Sequence, residues 1–188
     1  NTEKKPVVVA AHMAISGSDT EGHDLVRGNM DFVDADKLGI DFDYLALGHI
    51  HCPQTIKGFP ARYCGTPIPV SFDENYPHSI SIVTLSDTER TPHIRTIEVN
   101  NPWPLKTMPK EALPFEEALE QLHALNQDEK CYIRLHVQID HHAPANAMEH
   151  AHFATKGKAA RFCCFKWEQK EHKTDGERQV LDVEQIKQ

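Results

Sequence analysis

The sequence predicts a mixed α/β fold, and three observations lead to that prediction. Short apolar runs at residues 6–12 and 42–48 are typical of buried strands. Apolar residues recur at helical spacing over residues 114–126, which predicts an amphipathic helix. Residues 131–139 alternate between apolar and polar side chains, as a half-buried strand does. Strands and helices are therefore both expected in the packed core.

The composition is that of a globular protein. Of 188 residues, 39% are hydrophobic and 26% are charged, which allows a packed core. No apolar run approaches the ~20 residues that span a bilayer, so no membrane association is expected. The net charge of −8 argues against a basic nucleic-acid-binding module. That argument weakens if bound metal cations supply the positive charge at a phosphate site.

The cysteines and the first residue bear on location and completeness. The five cysteines are odd in number and form no Cys-x-x-Cys pair, which disfavours a disulfide framework or a zinc ribbon. A reducing cytoplasm is the simpler expectation. The chain begins with Asn rather than Met, a few residues ahead of a predicted buried strand. We therefore expect a fragment of a longer protein.

Residues 1–100 are predicted to form one domain. Its first strand is predicted to be buried and to end at His12, before a loop with two glycines. Residues 32–40 predict a short helix, with Asp34 as N-cap and Gly39 as C-terminal stop. Further strands are predicted at residues 42–48, 61–64, 79–86 and 92–100.

A linker and a second domain are predicted after residue 100. Four prolines and little periodicity predict an irregular linker at residues 101–113. Residues 114–188 are then expected to form a small α+β domain. Its predicted elements are helices at residues 114–126 and 143–159 and strands at residues 131–139 and 161–171.

The last predicted strand carries two further features. Strict alternation would place Cys163 and Phe165 on one face and Phe162 and Cys164 on the other. Residues 156–173 are also the one locally basic stretch of the sequence. They are interpreted either as a contact for the DNA backbone or a partner, or as a solvated edge strand with protective lysines.

Three histidines follow the ends of predicted buried strands. His12 ends one strand, and His49 and His51 follow another in the stretch DYLALGHIHCPQ. Ligands of an open α/β sheet bind beyond the carboxyl ends of its strands, and residues i and i+2 of an extended segment project to the same side. Gly48 would let the backbone approach such a centre closely.

Two readings of these histidines are open from spacing alone. Neutral imidazole suits Mn, Fe, Zn or Ni, and a pair of metals ~3.5–4 Å apart binds a phosphodiester and activates a water. The other reading is that they are ordinary residues at strand ends, because a His-x-His pair often occurs by chance.

A longer run makes the pattern more specific. GHIH followed by ARYCGTPIPVSFDE, at residues 61–74, resembles the SbcD family of bacterial nuclease subunits. GHxH alone is shared by the whole calcineurin-like metallophosphoesterase superfamily. The Tyr-x-Gly-Thr-Pro-x-Pro-x-Ser-Phe-Asp-Glu run resembles the SbcD family in particular. The close resemblance covers roughly residues 6–88.

The resemblance implies a fold and a site. Residues 1–100 would be the second half of a metallophosphoesterase sandwich, and residues 114–188 a capping domain. His12, His49 and His51 would be ligands of two divalent metal ions, usually manganese. The family's catalytic acid belongs to a motif that these residues lack, so no catalytic residue is assigned.

The resemblance also implies an activity and partners. The expected protein is a metal-dependent DNA nuclease, with double-strand exonuclease and single-strand endonuclease activity, that acts with an SbcC-type ATPase in DNA repair and recombination. A homodimer is expected for the full-length protein. The alternatives are a non-catalytic fragment that docks DNA or the ATPase, and another calcineurin-like phosphoesterase, which the residue 61–74 run disfavours.

Overall fold

The fold contains several small sheets and few helices. The computed structural model describes residues 5–21, 31–39, 41–89, 91–140 and 142–170. This is the mixed α/β fold that the sequence predicts. Two separate clusters of buried apolar side chains divide the described residues into an N-terminal region, residues 5–100, and a C-terminal region, residues 101–170.

The main sheet of the N-terminal region is mostly parallel. Its strand order is β1-β4-β6-β5, and only β5 runs antiparallel to its neighbour. Two further pairs, β2 with β3 and β7 with β8, lie outside that sheet. The strands are β1 (Val8–His12), β2 (Ala14–Ile15), β3 (Phe32–Val33), β4 (Tyr44–Gly48), β5 (Gln54–Thr55), β6 (Ala61–Tyr63), β7 (Ser79–Thr84) and β8 (His93–Glu98).

Strand β1 departs from the prediction of a buried strand. It is an edge of the main sheet and pairs with β4 alone. Val8 is 55% exposed and Val9 is 40% exposed, so the prediction of burial is wrong for this strand. The apolar run correctly predicted an extended segment, but burial also requires a covering layer, and none of the described residues forms one over these valines.

The helix predicted at residues 32–40 is also wrong. Its first residues form β3, which pairs with β2, and only Ala35–Lys37 form a 3-10 turn. Asp34 stands at the N-cap position but makes no capping bond, and its carboxylate accepts a hydrogen bond from Ser16 Oγ at 3.1 Å. Gly39 follows the turn at φ 72°, as expected of a stop residue.

The C-terminal region alternates strands and helices. Its three strands are parallel, in the order β11-β10-β9. Both helices pack on one face of that sheet, where Ile133, Leu135 and Val137 are fully buried. The elements are β9 (Leu105–Pro114), α1 (Phe115–His123), β10 (Tyr132–Ile139), α2 (Ala147–Ala154) and β11 (Arg161–Gln169).

The predicted linker proves to be largely a strand. Residues 105–113 belong to β9 and pair with β10, so the prediction of an irregular segment is wrong there. The register shifts between the pairs Met108–Leu135 and Leu113–Val137, around Pro109. Proline lacks an N–H donor and is tolerated at such an irregularity of an edge strand. The prolines therefore hid a strand that its partner defines.

A bulge in β11 overturns the predicted alternation. Ile133 pairs with Phe162 and Arg134 pairs with Cys164, so Cys163 is an extra residue opposite no partner in the register. Phe162 and Phe165 therefore share the helix-covered face, with ring centroids 4.9 Å apart. The predicted separation of these two rings onto opposite faces is wrong. None of the helices in the described ranges is long and apolar enough to cross a membrane.

Candidate functional site

His12 and His49 meet at the carboxyl ends of two parallel strands. The register of β1 and β4 places His12 directly opposite Gly48, one residue before His49. His12 Nε2 lies 3.3 Å from His49 Nδ1, and the two rings meet edge to face with centroids 5.1 Å apart. The prediction that these strand ends bring His12 to the Gly-His-Ile-His stretch is therefore confirmed for His49.

Gly48 makes room for this arrangement. A Cβ atom at position 48 would lie 3.0 Å from His12 Nδ1, which is closer than ordinary contact. The space above Gly48 is therefore occupied by the His12 imidazole. Glycine is needed here for close approach to a side chain rather than for an unusual backbone conformation.

His49 has a strained backbone. Its φ is 98°, which non-glycine residues rarely adopt and which costs roughly 1–3 kcal/mol. Burial, followed by the neighbouring His12 and His51 rings, lowers the pKa of the His49 imidazole below its ordinary value. His49 therefore favours the neutral form that binds metals. The extended geometry assumed for the His-x-His pair is absent at this residue.

His51 is held by a buried carboxylate. Its Nδ1 lies 2.8 Å from Glu74 Oε1, and the Glu74 side chain is fully buried. The other oxygen, Oε2, accepts a hydrogen bond from the Val70 N–H at 3.1 Å and lies 3.6 Å from His78 Nε2. A carboxylate accepting the Nδ1 proton places the imidazole lone pair on Nε2, as in metal sites with an outer carboxylate.

The residue 61–74 run supports His51 from below. Gly65 has φ 74°, and a Cβ atom there would lie 2.5 Å from the His51 carbonyl oxygen. Thr66 N–H donates to that same carbonyl at 3.1 Å. Tyr63 is fully buried, and its hydroxyl donates to the Met13 carbonyl at 2.8 Å, just past His12. The segment therefore packs against both histidine-bearing stretches.

Cys52 lies next to His51 but is poorly suited to be a thiolate ligand. Burial, followed by the nearby Asp19 and Glu21 carboxylates, raises the pKa of the Cys52 thiol above its ordinary value. A thiol must lose its proton to coordinate a metal or to react quickly with oxidants. Among the cysteines in the described ranges, no disulfide is present.

The three predicted ligands do not form a complete metal site. Within the ranges that the structure describes, no group of three or more His, Cys, Asp or Glu side chains is arranged to hold a metal ion. The donor chemistry of His12 and His49 fits a divalent transition metal, since their neutral rings meet at one strand edge. Metal coordination by His12, His49 and His51 stays a prediction.

The basic stretch is partly structural. Lys158 Nζ donates to the Leu125 carbonyl at 2.7 Å, just past the end of α1. Arg161 Nη1 donates to the Ala159 carbonyl at 3.2 Å, and Lys170 lies 3.8 Å from Asp140. These contacts favour the structural interpretation over a DNA-backbone contact. Residues 171–173 lie outside the described residues.

Sequence reasoning missed the pairing of Glu74 with His51 and also the role of Arg134. Asp73 and Glu74 are adjacent acids in the sequence, but their burial differs sharply, with side chains 62% and 0% exposed. Arg134 forms a two-pronged ion pair with Asp73, with Nη2 2.7 Å from Oδ1 and Nη1 2.9 Å from Oδ2. Its position on the polar face of an alternating strand was the available signal.

Comparison with known proteins agrees with the resemblance seen in the sequence. The chain is 29% identical over 142 residues to the SbcD component of nuclease SbcCD from Escherichia coli (strain K12), an alignment that covers 72% of this chain and 34% of that protein. The protein of the same name from Bacillus subtilis (strain 168) is 38% identical over 81 residues, or 40% of this chain and 21% of the relative. No protein-family profile matches the chain.

These comparisons confirm the predicted likeness to SbcD proteins. A third relative of that name, from Rhodobacter capsulatus, is 29% identical over 125 residues, which cover 64% of this chain. The chain spans about a third of the length of the curated relatives it matches, with 34% of the Escherichia coli protein covered. The likeness thus extends over most of this chain and a minor part of each relative.

Proposed function

We propose that this chain is part of an SbcD-type, metal-dependent nuclease that hydrolyses phosphodiester bonds of DNA. The observation that carries the proposal is the meeting of His12 and His49 at the ends of β1 and β4. It is supported by the likeness to proteins named as the SbcD component of nuclease SbcCD. In this proposal the N-terminal region is the second half of a metallophosphoesterase sandwich, and the C-terminal region is its cap.

His12, His49 and His51 would hold divalent metal, with manganese the expected ion of two. When bound, such ions supply a Lewis acid for the scissile phosphate and lower the pKa of a water. The chain's own residues prepare the ligands: Glu74 fixes the His51 tautomer, and Gly48 leaves room for His12. No catalytic acid is assigned among these residues.

The proposed partners follow from the names of the relatives. The protein would act on DNA together with an SbcC-type ATPase, and it would form a homodimer at full length. The exonuclease and endonuclease activities, and a role in repair and recombination, belong to this longer protein. A metal-bound phosphate site would reconcile DNA as substrate with the chain's net charge of −8.

Manganese binding provides the first test. Calorimetric titration of this chain with Mn²⁺ should show binding that weakens at least about tenfold in His12→Ala and in His49→Ala. His93→Ala, at an exposed histidine of β8, is the matched control and should bind like the wild type. Equal binding by all four proteins would exclude a metal site at these strand ends.

Nuclease activity provides the second test. Mn²⁺-dependent cleavage of linear duplex DNA should be absent or weak for this chain and present when the coding sequence preceding residue 1 is restored. His49→Ala in that longer protein should abolish cleavage. Full cleavage by the longer His49→Ala variant would contradict the proposed role of this residue.

A non-catalytic docking role is the second candidate. The observation that favours it is that, in the described ranges, no three-ligand group is arranged to hold a metal. In that case the chain would bind DNA or the ATPase without contributing to hydrolysis. Binding of duplex DNA that is unchanged by a chelator, together with unchanged cleavage by the longer His49→Ala protein, would favour docking over catalysis.

A further inference from the structure

Arg134 joins the C-terminal sheet to a turn of the N-terminal region. Its guanidinium bonds both oxygens of Asp73, at 2.7 and 2.9 Å, and lies 5.2 Å from the centre of the Phe72 ring. Nη2 approaches the Phe72 carbonyl at 3.4 Å, and Nε donates to Thr107 Oγ1 at 3.1 Å. The side chain is only 14% exposed. Arg134 is therefore anchored on its own sheet while it holds the turn.

The turn that Arg134 holds also carries the partner of His51. Glu74 N–H donates to the Ser71 carbonyl at 3.3 Å, and Asp73 N–H donates to Ser71 Oγ at 3.3 Å. Asp73 and Glu74 are consecutive, yet their carboxylates face different regions. Asp73 faces Arg134, and Glu74 is buried against His51. A displacement of this short turn would move both carboxylates together.

We propose that Arg134 is a positioning residue for the histidine site. By holding Asp73 and Phe72 it fixes the turn at residues 71–74, and the turn in turn holds Glu74 against His51 Nδ1. The inference rests on the proposed metal-binding function of His51. Groups that orient a histidine ligand typically change metal affinity 10–100-fold when removed, and Arg134 acts one contact further out. The C-terminal region thereby contributes to the order of a site built by the N-terminal region.

The contacts require arginine rather than any cation. The planar guanidinium makes two parallel bonds to Asp73 while a third nitrogen reaches Thr107 and the plane lies near the Phe72 ring. A lysine ammonium is a point charge on a flexible stem and cannot make these contacts together. Arg134→Lys should therefore resemble Arg134→Met in its effect on His51 more than it resembles the wild type.

The state of the His51 ring provides the decisive measurement. In ¹⁵N-histidine spectra of the metal-free chain, the wild type should show His51 as a single tautomer with its proton on Nδ1. Arg134→Met and Asp73→Asn should shift the His51 ring nitrogens toward averaged values. Arg161→Met is the matched control, since the Arg161 guanidinium bonds carbonyls at residues 158–160. A His51 ring unchanged in both Arg134→Met and Asp73→Asn overturns the inference.

Manganese affinity separates this inference from the proposed function. Calorimetry should show about a fivefold to tenfold weaker binding in Arg134→Met and no change in Arg161→Met. If His51→Ala binds Mn²⁺ as tightly as the wild type, the proposed function fails at this residue. If His51→Ala loses binding while Arg134→Met binds normally, only the role of Arg134 fails. Should Arg134→Met not fold by circular dichroism, the milder Asp73→Asn decides both readouts.

Discussion

The two regions of this chain differ in how completely they bury their apolar strands. In the C-terminal region, helices cover β10, and Ile133, Leu135 and Val137 are fully buried. In the N-terminal region, edge strand β1 leaves Val8 55% exposed. The histidines lie in the region with the exposed edge. The difference teaches that here the better-packed region is a support, whereas the candidate chemistry is placed at the ends of strands with an incomplete cover.

Removing apolar volume from each region should have the largest and most unequal effect. Leu135→Ala empties a fully buried position and should lower the free energy of unfolding by roughly 3 kcal/mol. Val8→Ala, on the exposed edge strand, should change it by less than about 0.5 kcal/mol. Urea unfolding followed by circular dichroism checks both values. Equal losses would show that the two strands are similarly buried in solution, which contradicts the comparison.

A methyl group at Gly65 should damage the N-terminal region next. Its Cβ would lie 2.5 Å from the His51 carbonyl, so Gly65→Ala should cost at least about 2 kcal/mol in unfolding free energy. Gly58→Ala is the matched control. It shares a positive φ, 84°, but no atom lies within 4 Å of its Cβ position. It should cost only the backbone penalty of about 1 kcal/mol, and an equal cost for the two variants would rule out the clash.

The Tyr63 hydroxyl should contribute a smaller amount. It accepts from the buried Ile15 N–H at 2.9 Å and donates to the Met13 carbonyl at 2.8 Å. Tyr63→Phe leaves both groups unpaired and should lower the unfolding free energy by about 1–2 kcal/mol. Tyr132→Phe, at a 40% exposed position, should leave stability unchanged. A loss confined to Tyr132→Phe would be the opposite of this expectation.

The ion pair between the two regions should have the smallest effect on stability. Asp73 is 62% exposed, so Asp73→Asn should cost less than about 1 kcal/mol near neutral pH. The hydrogen bonds from Arg134 hold the pKa of the Asp73 carboxyl below its ordinary value of 3.8. Because the folded pKa is lowered, the contribution is present above that ordinary value and is lost as pH falls through the lowered one.

Thermal unfolding across pH checks this assignment. The difference in melting temperature between the wild type and Asp73→Asn should be constant from about pH 8 to about pH 5 and should shrink below the ordinary pKa of Asp73. A difference that grows on acidification would contradict the sign. Asp128→Asn, at an exposed acid of the C-terminal region, serves as the control for general charge effects.

Sequence reasoning predicted the locally encoded parts of the fold well. The strands at residues 79–86 and 92–100 are present as β7 and β8, and helix α1 lies within residues 114–126. Each of these patterns repeats within one short segment. By contrast, residues 105–113 have no regular pattern, and pairing with β10 makes them a strand. The bulge at Cys163 likewise depends on the register with a neighbouring strand.

For the site, the sequence by itself determined which histidines follow which strands and which family the residue 61–74 run resembles. Only the tertiary structure decided their partners: His12 with His49, His51 with Glu74, and Arg134 with Asp73. The physical reason is range. Periodicity and turn chemistry act over a few residues, whereas Arg134 and Asp73 are 61 positions apart and meet only because two regions pack together. Burial of β1 is decided in the same way, by what packs against it rather than by its own side chains.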